Sequence, residues 1–212
     1  MPLQNRITPF GAIVAVEARG LLMGNRGILH DEARRIVRPW QVKRWIACRT
    51  AFRGRWRQVM RPHSYTELFF LDEVTAFAAG HRPCAECRHA DYQRFKAAWA
   101  VWSGAPADAE RIDAVLHGDR LEGRGAHQRQ RTYQEEIGAL PDGAFIRLDG
   151  SAWLLWRGRL LAWSAAGYVS PRPLPDLGRV EVLTPRALVA VLRAGYRPLV
   201  HPSAEAVGSC RG

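Results

Sequence analysis

The segment Pro83-Cys84-Ala85-Glu86-Cys87 restricts this chain more than any other. Two thiols two residues apart in a turn can face one Zn²⁺ at about 2.3 Å, and a closed tetrahedral site then draws two further ligands from distant segments. The alternative is a reduced pair packed as small hydrophobes. A disulfide framework is the weaker reading of Cys48, Cys84, Cys87 and Cys210. Glu17 and Arg19 follow the first apolar stretch directly and no basic segment precedes it, so no export signal is expected. No apolar run reaches the roughly 18 residues of a membrane span, and the expectation is a cytoplasmic protein without a membrane partner. A thioredoxin-type redox pair is disfavoured because the segment before Cys84 reads as helix rather than strand.

The flanks of this turn predict local structure. Leu71 ends a short apolar run, Asp72 makes an N-cap for EVTAFAAG, and Gly80 supplies a C-terminal stop. After the turn, Tyr92, Phe95, Trp99 and Trp102 share a helical face, which reads as a core stripe rather than a base-stacking platform. Upstream, Phe10 to Met23 predicts two short strands turning at Ala18-Arg19-Gly20, and His30-Asp31-Glu32 opens a helix that stops before Pro39. Downstream, ERIDAVLHG predicts a helix, and GAFIRL, AWLLW and LLAW are spaced as hairpin strands. Pro171, Pro173 and Pro175 mark a loop, and Thr184-Pro185 opens a final helix ended by Gly195. The fold class expected is α+β: an N-terminal zinc-type module of short strands and helices over 1–103, a connecting helix and basic loop over 104–141, and a β-hairpin-rich part with a terminal helix over 142–212. The three stretches could form one continuous domain. With 47% hydrophobic residues, a disordered or collagen-like chain is excluded.

Charge is distributed unevenly. The net charge is +11, and 29 of the 31 basic residues are Arg, a skew that a GC-rich genome would also produce. Residues 1–100 carry a net +9, and Ala33 to Thr66 hold ten basic residues and no acid. Within that stretch Arg44, Arg49, Arg53, Arg55, Arg57 and Arg61 offer phosphate contacts, with Trp40, Trp45 and Trp56 interleaved. If Arg53-Gly54-Arg55-Trp56-Arg57 is a strand, its three arginines line up on one face. A nucleic-acid partner is favoured over a solvated basic face, and DNA over other nucleic acids. Arg120, Arg124, Arg129 and Arg131 with His127 would extend the footprint.

The stretch from Tyr65 to Cys87, YTELFFLDEVTAFAAGHRPCAEC, resembles the metal-binding module of Ada-type alkylation-repair proteins. That family has an aromatic strand, a short helix ending in Ala-Gly, and then Arg-Pro-Cys-x-x-Cys. Trp45-Ile46-Ala47-Cys48-Arg49 is similar to the segment bearing its first cysteine. The resemblance covers residues 44–95 and implies a zinc site, DNA binding, and methyl transfer from a backbone phosphotriester to Cys48. It departs at Phe52, where the family has its second cysteine. The implied ligands are therefore Cys48, Cys84 and Cys87, with His63 first in line for the fourth place and His81, His89 and Cys210 behind it, unless the site is altered.

Two readings of other classes stand beside it. Zinc nucleobase deaminases use H-x-E and P-C-x-x-C, and His30, Glu32, Cys84 and Cys87 offer that set with Glu32 moving protons. The gap of about fifty residues is long for that fold, and the segment before Pro83 reads as helix where a strand is needed. The third reading is a structural or interaction protein without catalysis. In every enzymatic version the cofactor is Zn.

Overall fold

The computed structural model describes residues 1–56, 58–123, 127–175 and 178–208. It is an α+β structure built on two six-stranded sheets. The first holds β1 (Gln4–Ile7), β2 (Ile13–Ala15), β3 (Leu22–Asn25), β4 (Ile46–Arg49), β5 (Leu68–Phe70) and β6 (Arg82–Pro83), in the order β2-β1-β5-β3-β4-β6. Between β5 and β6 lies helix α1 (Glu73–Ala78). Helices α2 (His89–Ser103) and α3 (Ala109–Arg120) follow, then a small hairpin of β7 (Leu121–Glu122) and β8 (Arg129–Gln130). The second sheet holds β9 (Tyr133–Glu136), β10 (Phe145–Leu148), β11 (Ser151–Trp156), β12 (Arg159–Ser164), β13 (Gly167–Pro173) and β14 (Arg179–Val182), in the order β13-β12-β11-β10-β14-β9. Helices α4 (Arg186–Arg193) and α5 (Ser203–Gly208) complete the described chain.

Helix α1 is the hub, and all six of its residues are buried. Ala76, with Ala79 just beyond the helix, packs under the first sheet against Leu22, Ala47, Leu68 and Phe70. Val74 and Ala78 pack on the second sheet against Phe145, Leu154, Leu161 and Tyr168. Phe77 joins Phe95, Trp99, Leu116, Leu188 and Tyr196 from the helical layer. So short a helix is not stable alone and is held by these three surroundings. Asp72 caps it, accepting from the Thr75 backbone N–H at 2.9 Å. Gly80 closes it at φ +78°, in the left-handed region.

The downstream hairpins form as the spacing predicts. β10–β11 turns at Asp149-Gly150 and β11–β12 at Arg157-Gly158, each pair with both φ positive, as a two-residue type I′ turn requires. The aromatic face of α2 is a core face: Tyr92, Phe95 and Trp99 are buried, and only Trp102 reaches the surface.

Several expectations are corrected. The two strands expected over Phe10–Met23 exist as β2 and β3, but they do not pair; β2 lies on β1 and β3 lies between β5 and β4. The segment after His30 is no helix. Asp31 accepts from the Arg35 backbone at 2.9 Å and Arg34 takes φ +60°, closing a tight loop at a His30–Ile36 bridge. Pro171 and Pro173 lie in a strand, β13, which is tolerated because β13 is the sheet edge. Pro185 occupies the N-cap of α4, and the Thr184 hydroxyl accepts from Phe145 N–H at 2.9 Å instead of capping the helix.

Candidate metal centre and its cleft

Strand alternation divides the first sheet into two faces. Leu22, Ala47, Leu68 and Phe70 point to α1. The opposite face carries Met23 and Ile46 together with Cys48. β4 pairs with β6 in parallel, Ile46 with Arg82 and Ala47 with Pro83, so the next step of the register sets Cys84 beside Cys48. The Cys84 N–H donates to Ala47 O at 2.9 Å and fixes that step. Cys87 follows in the turn, and the Arg49 N–H donates to its Sγ at 3.4 Å. Arg88 anchors the far end of the turn through a buried 2.8 Å ion pair with Glu73 of α1. Burial works against the Arg88 charge, and Glu73 more than offsets it, so its pKa is raised.

The three sulfurs of Cys48, Cys84 and Cys87 all lie within 4.8 Å of one another and are buried. Thiolates at tetrahedral corners about 2.3 Å from Zn²⁺ sit roughly 3.8 Å apart, so the spacing suits one soft metal ion. The three thiols also shift one another's ionisation. Hydrogen bonds from Cys48 and Cys87, with the turn's backbone N–H groups, pull Cys84 far down. The bonds to Cys84 and Cys87, with burial, push Cys48 far up. The Cys48 bond lowers Cys87, but Cys84 and burial outweigh it and its pKa ends raised. A divalent cation bound among them would stabilise all three as thiolates.

Beside the trio opens a cleft of about 470 Å³. Its walls include Arg44, Arg49, Arg55, Phe52, Trp56 and Glu67. Phe52, standing where the Ada-type pattern has a cysteine, packs against the three sulfurs. A metal ion held here would have three thiol ligands, with Phe52 and the cleft beside the cysteine cluster. Trp56 is 87% exposed at the cleft. Glu67 is buried; its Oε2 accepts from Met60 N–H at 2.8 Å, and Oε1 has no partner among the described residues.

The other expected site residues fall as follows. His63 is not brought to the sulfurs: it is exposed, at φ +60°, with Nε2 3.5 Å from Glu32 Oε1. His30 is also remote, bonded through Nδ1 to Thr66 Oγ1 at 2.6 Å and through Nε2 to Arg61 O at 3.2 Å. With Glu32 on the surface beside His63, the H-x-E pair does not join Cys84 and Cys87. His81 lies on the core side of the sheet, packed against Trp45 and Phe70. His89 is exposed at the start of α2. Cys210, Arg57 and Arg124 lie outside the described residues.

The alignment of arginines that a strand would give does not arise: Phe52–Arg55 is a turn closed by Arg55 N–H to Phe52 O at 3.1 Å, because Arg53 and Gly54 both take positive φ. Arg53 and Arg55 stack on the Phe52 ring, and Arg55 pairs with Glu86 at 3.0 Å. Arg61 lies with Arg55 and Trp56 on an adjoining concavity. The sequence reading missed Met23, Asn25, Glu67 and Phe69 as cleft residues. Their alternation with core residues was readable, but which strands adjoin β4 was not.

The described residues contain no helix long and apolar enough to cross a membrane. Compared with family models, with curated proteins and with solved structures, the chain finds no match in any of the three.

Proposed function

We propose that this chain is a DNA-binding zinc protein that recognises or repairs damaged DNA, with Cys48 as its reactive thiol. The observation that carries the reading is a single cleft joining the thiol trio to Arg44, Arg49, Arg55 and the exposed Trp56. Guanidinium groups bind phosphates, and an exposed indole offers a stacking face to a base. Zinc is proposed over other metals because three thiolates suit a soft, redox-inert ion. The Ada-type resemblance adds the chemistry. In that reading the Cys48 sulfur attacks the methyl carbon of a backbone methyl phosphotriester. The S–C bond forms, the C–O bond breaks, and the departing phosphodiester keeps the electron pair. Zinc supplies thiolate character at neutral pH. This chain's part is to hold Cys48 at the cleft, beside the arginines that would seat the phosphate.

Metal analysis and DNA titration test the reading. The purified protein should carry about one zinc per chain, and Cys84→Ala should lose it. DNA binding should weaken with salt, and Trp56→Ala or Arg44→Ala should reduce affinity several-fold while zinc content stays unchanged. Incubation with methylated DNA should add one methyl group at Cys48, read by peptide mass. Absence of salt-dependent DNA binding by the zinc-loaded chain overturns the DNA reading and leaves a structural or interaction role.

A further inference from the structure

On the core side of the first sheet lies a second cavity, of about 250 Å³, which shares no lining residue with the cysteine cleft. Arg26, Arg120, Trp40, Trp45, Phe10 and Gln130 are among its walls. Arg26 is 2% exposed and Arg120 1%. Among the described residues neither guanidinium has a carboxylate within ion-pair distance; Asp113, whose charge acts on Arg120, is paired with Arg82 at 2.7 Å. Both instead lie against the Trp45 ring, with Cζ at 4.0 Å and 3.9 Å from its centroid.

Their remaining bonds go to neutral groups. Arg26 donates to His81 Nε2 at 3.3 Å and to Gly11 O at 3.2 Å. Arg120 donates to Gly80 O at 2.9 Å, to Lys43 O, and faces His117 Nδ1 at 3.2 Å. Among the described residues, Arg26 Nη2, Arg120 Nε and Gln130 Oε1 have no partner, nor has Nδ1 of the adjoining His81. Gln130 is pinned by its amide nitrogen, which donates to Pro9 O, Ala78 O and Leu183 O.

Two buried cations without a counter-ion are costly, and cation–π contact with one indole offsets only part of that cost. The strain is visible in their ionisation: burial lowers Arg26 to about 9, and burial followed by the Arg26 charge lowers Arg120 to about 8. His81 and His117 beside them are both held neutral-leaning by burial and the arginine charges, and Asp113 offsets only part of the burial cost at Arg120.

We propose that this cavity is an oxyanion-binding site, in which Arg26 and Arg120 together hold a phosphate group and Gln130 Oε1 accepts from a hydroxyl of the same ligand. Free N–H donors on two guanidiniums match phosphate oxygens through charge-assisted bonds. The size is below the usual range for extended small-molecule ligands, about 300–1,000 Å³, which restricts the occupant to a small phosphate compound or one phosphate of a longer chain.

Calorimetric titration of the zinc-loaded full chain with sodium phosphate, against sodium chloride at matched ionic strength, tests this. The expected result is saturable binding of about one phosphate per chain, with Tm rising as phosphate rises. Arg120→Met should fold, since an apolar chain of similar length replaces an uncompensated charge, and should bind phosphate at least about tenfold more weakly. Ala12→Asp, which adds a carboxylate at an exposed wall of the cavity, should do the same without touching a buried residue. DNA competition separates the sources. If phosphate displaces bound oligonucleotide, the site holds a backbone phosphate; if both bind together, the ligand is a free phosphate compound. No saturable phosphate binding by the wild-type chain, or equal binding by the folded Ala12→Asp variant, overturns the proposal. Trp56→Ala should leave phosphate binding unchanged, so failure here is distinct from failure of the cysteine-cleft reading.

Discussion

Gly24 is a tight point of the first sheet: a Cβ there would lie 2.0 Å from Ile46 O and 2.9 Å from Phe70 Cε2. The first obstacle is backbone, which cannot turn aside. Gly24→Ala should therefore force β3 from β4, at a cost of about 2 kcal/mol or more, and displace the Met23–Cys48 pair. Urea unfolding measures the cost, and weaker binding of added zinc than by the wild type would report the displacement. A second residue-scale consequence concerns His81, whose pKa is pushed well below its usual value by burial first and then by Arg26 and Arg120. The unfolded chain takes up a proton near pH 6.5 that the folded chain refuses. The stability contributed by neutral His81 is thus full above that pH and is lost as pH falls. Between pH 6.5 and 5 the wild type should lose up to about 1.4 kcal/mol per pH unit through this group. In His81→Gln that part of the slope should vanish, as chemical denaturation at several pH values would show.

At the scale of elements, α1 and the turn after it explain how a short motif is held. Glu73 accepts from Tyr196 OH at 2.8 Å and Leu199 N–H at 2.8 Å while pairing with Arg88 next to Cys87. Asp72 likewise accepts from Tyr168 OH at 2.7 Å and His201 N–H at 2.9 Å. The helix that leads to the Cys84–Cys87 turn is therefore anchored by residues more than ninety positions downstream. Replacing Glu73 by Ala leaves buried Arg88 with Asp91, at 2.8 Å, as its remaining acid partner, and should cost about 3 kcal/mol, the low end for breaking a buried pair. The double variant with Arg88→Met should recover part of it, and a double-mutant cycle by urea unfolding measures the coupling. The helix itself was legible in the sequence, because Asp72 and Gly80 are local signals that act within one turn. The loop after His30 was misread for the converse reason. An Asp followed by Arg-Arg-Ile-Val suits a helix start as well as a side-chain-closed turn, and only the strand neighbours decide between them.

For the whole molecule, α1 contributes to the cores of both sheets, so the two are expected to unfold as one unit. Residues 1–141 alone would leave Val74 and Ala78 without Phe145, Leu154 and Leu161. That fragment should fail to fold, with amide protons of β3 and β4 unprotected from exchange. In the full chain, protection in β3–β4 and in β11–β12 should be lost in a single transition, and two separate transitions would contradict the hub. The boundary expected between 104 and 141 marks a change of architecture along the sequence, while the core runs through it.

The sequence by itself determined the features that depend on near neighbours. These are the α+β class, the caps of α1, the type I′ hairpins, the core stripe of α2, and Cys84 and Cys87 as a pair. Tertiary structure alone decided which strands adjoin, and so everything that adjacency creates. It set Cys48 beside Cys84, placed Phe52 rather than His63 against the sulfurs, and turned Asn25 and Glu67 toward the same cleft. It also brought Arg26 and Arg120 to one indole across ninety-four positions of sequence. The physical reason is range. Caps and turns are settled by hydrogen bonds within a few residues, whereas sheet order is settled by burying apolar faces against a helix whose partners the chain supplies only much later.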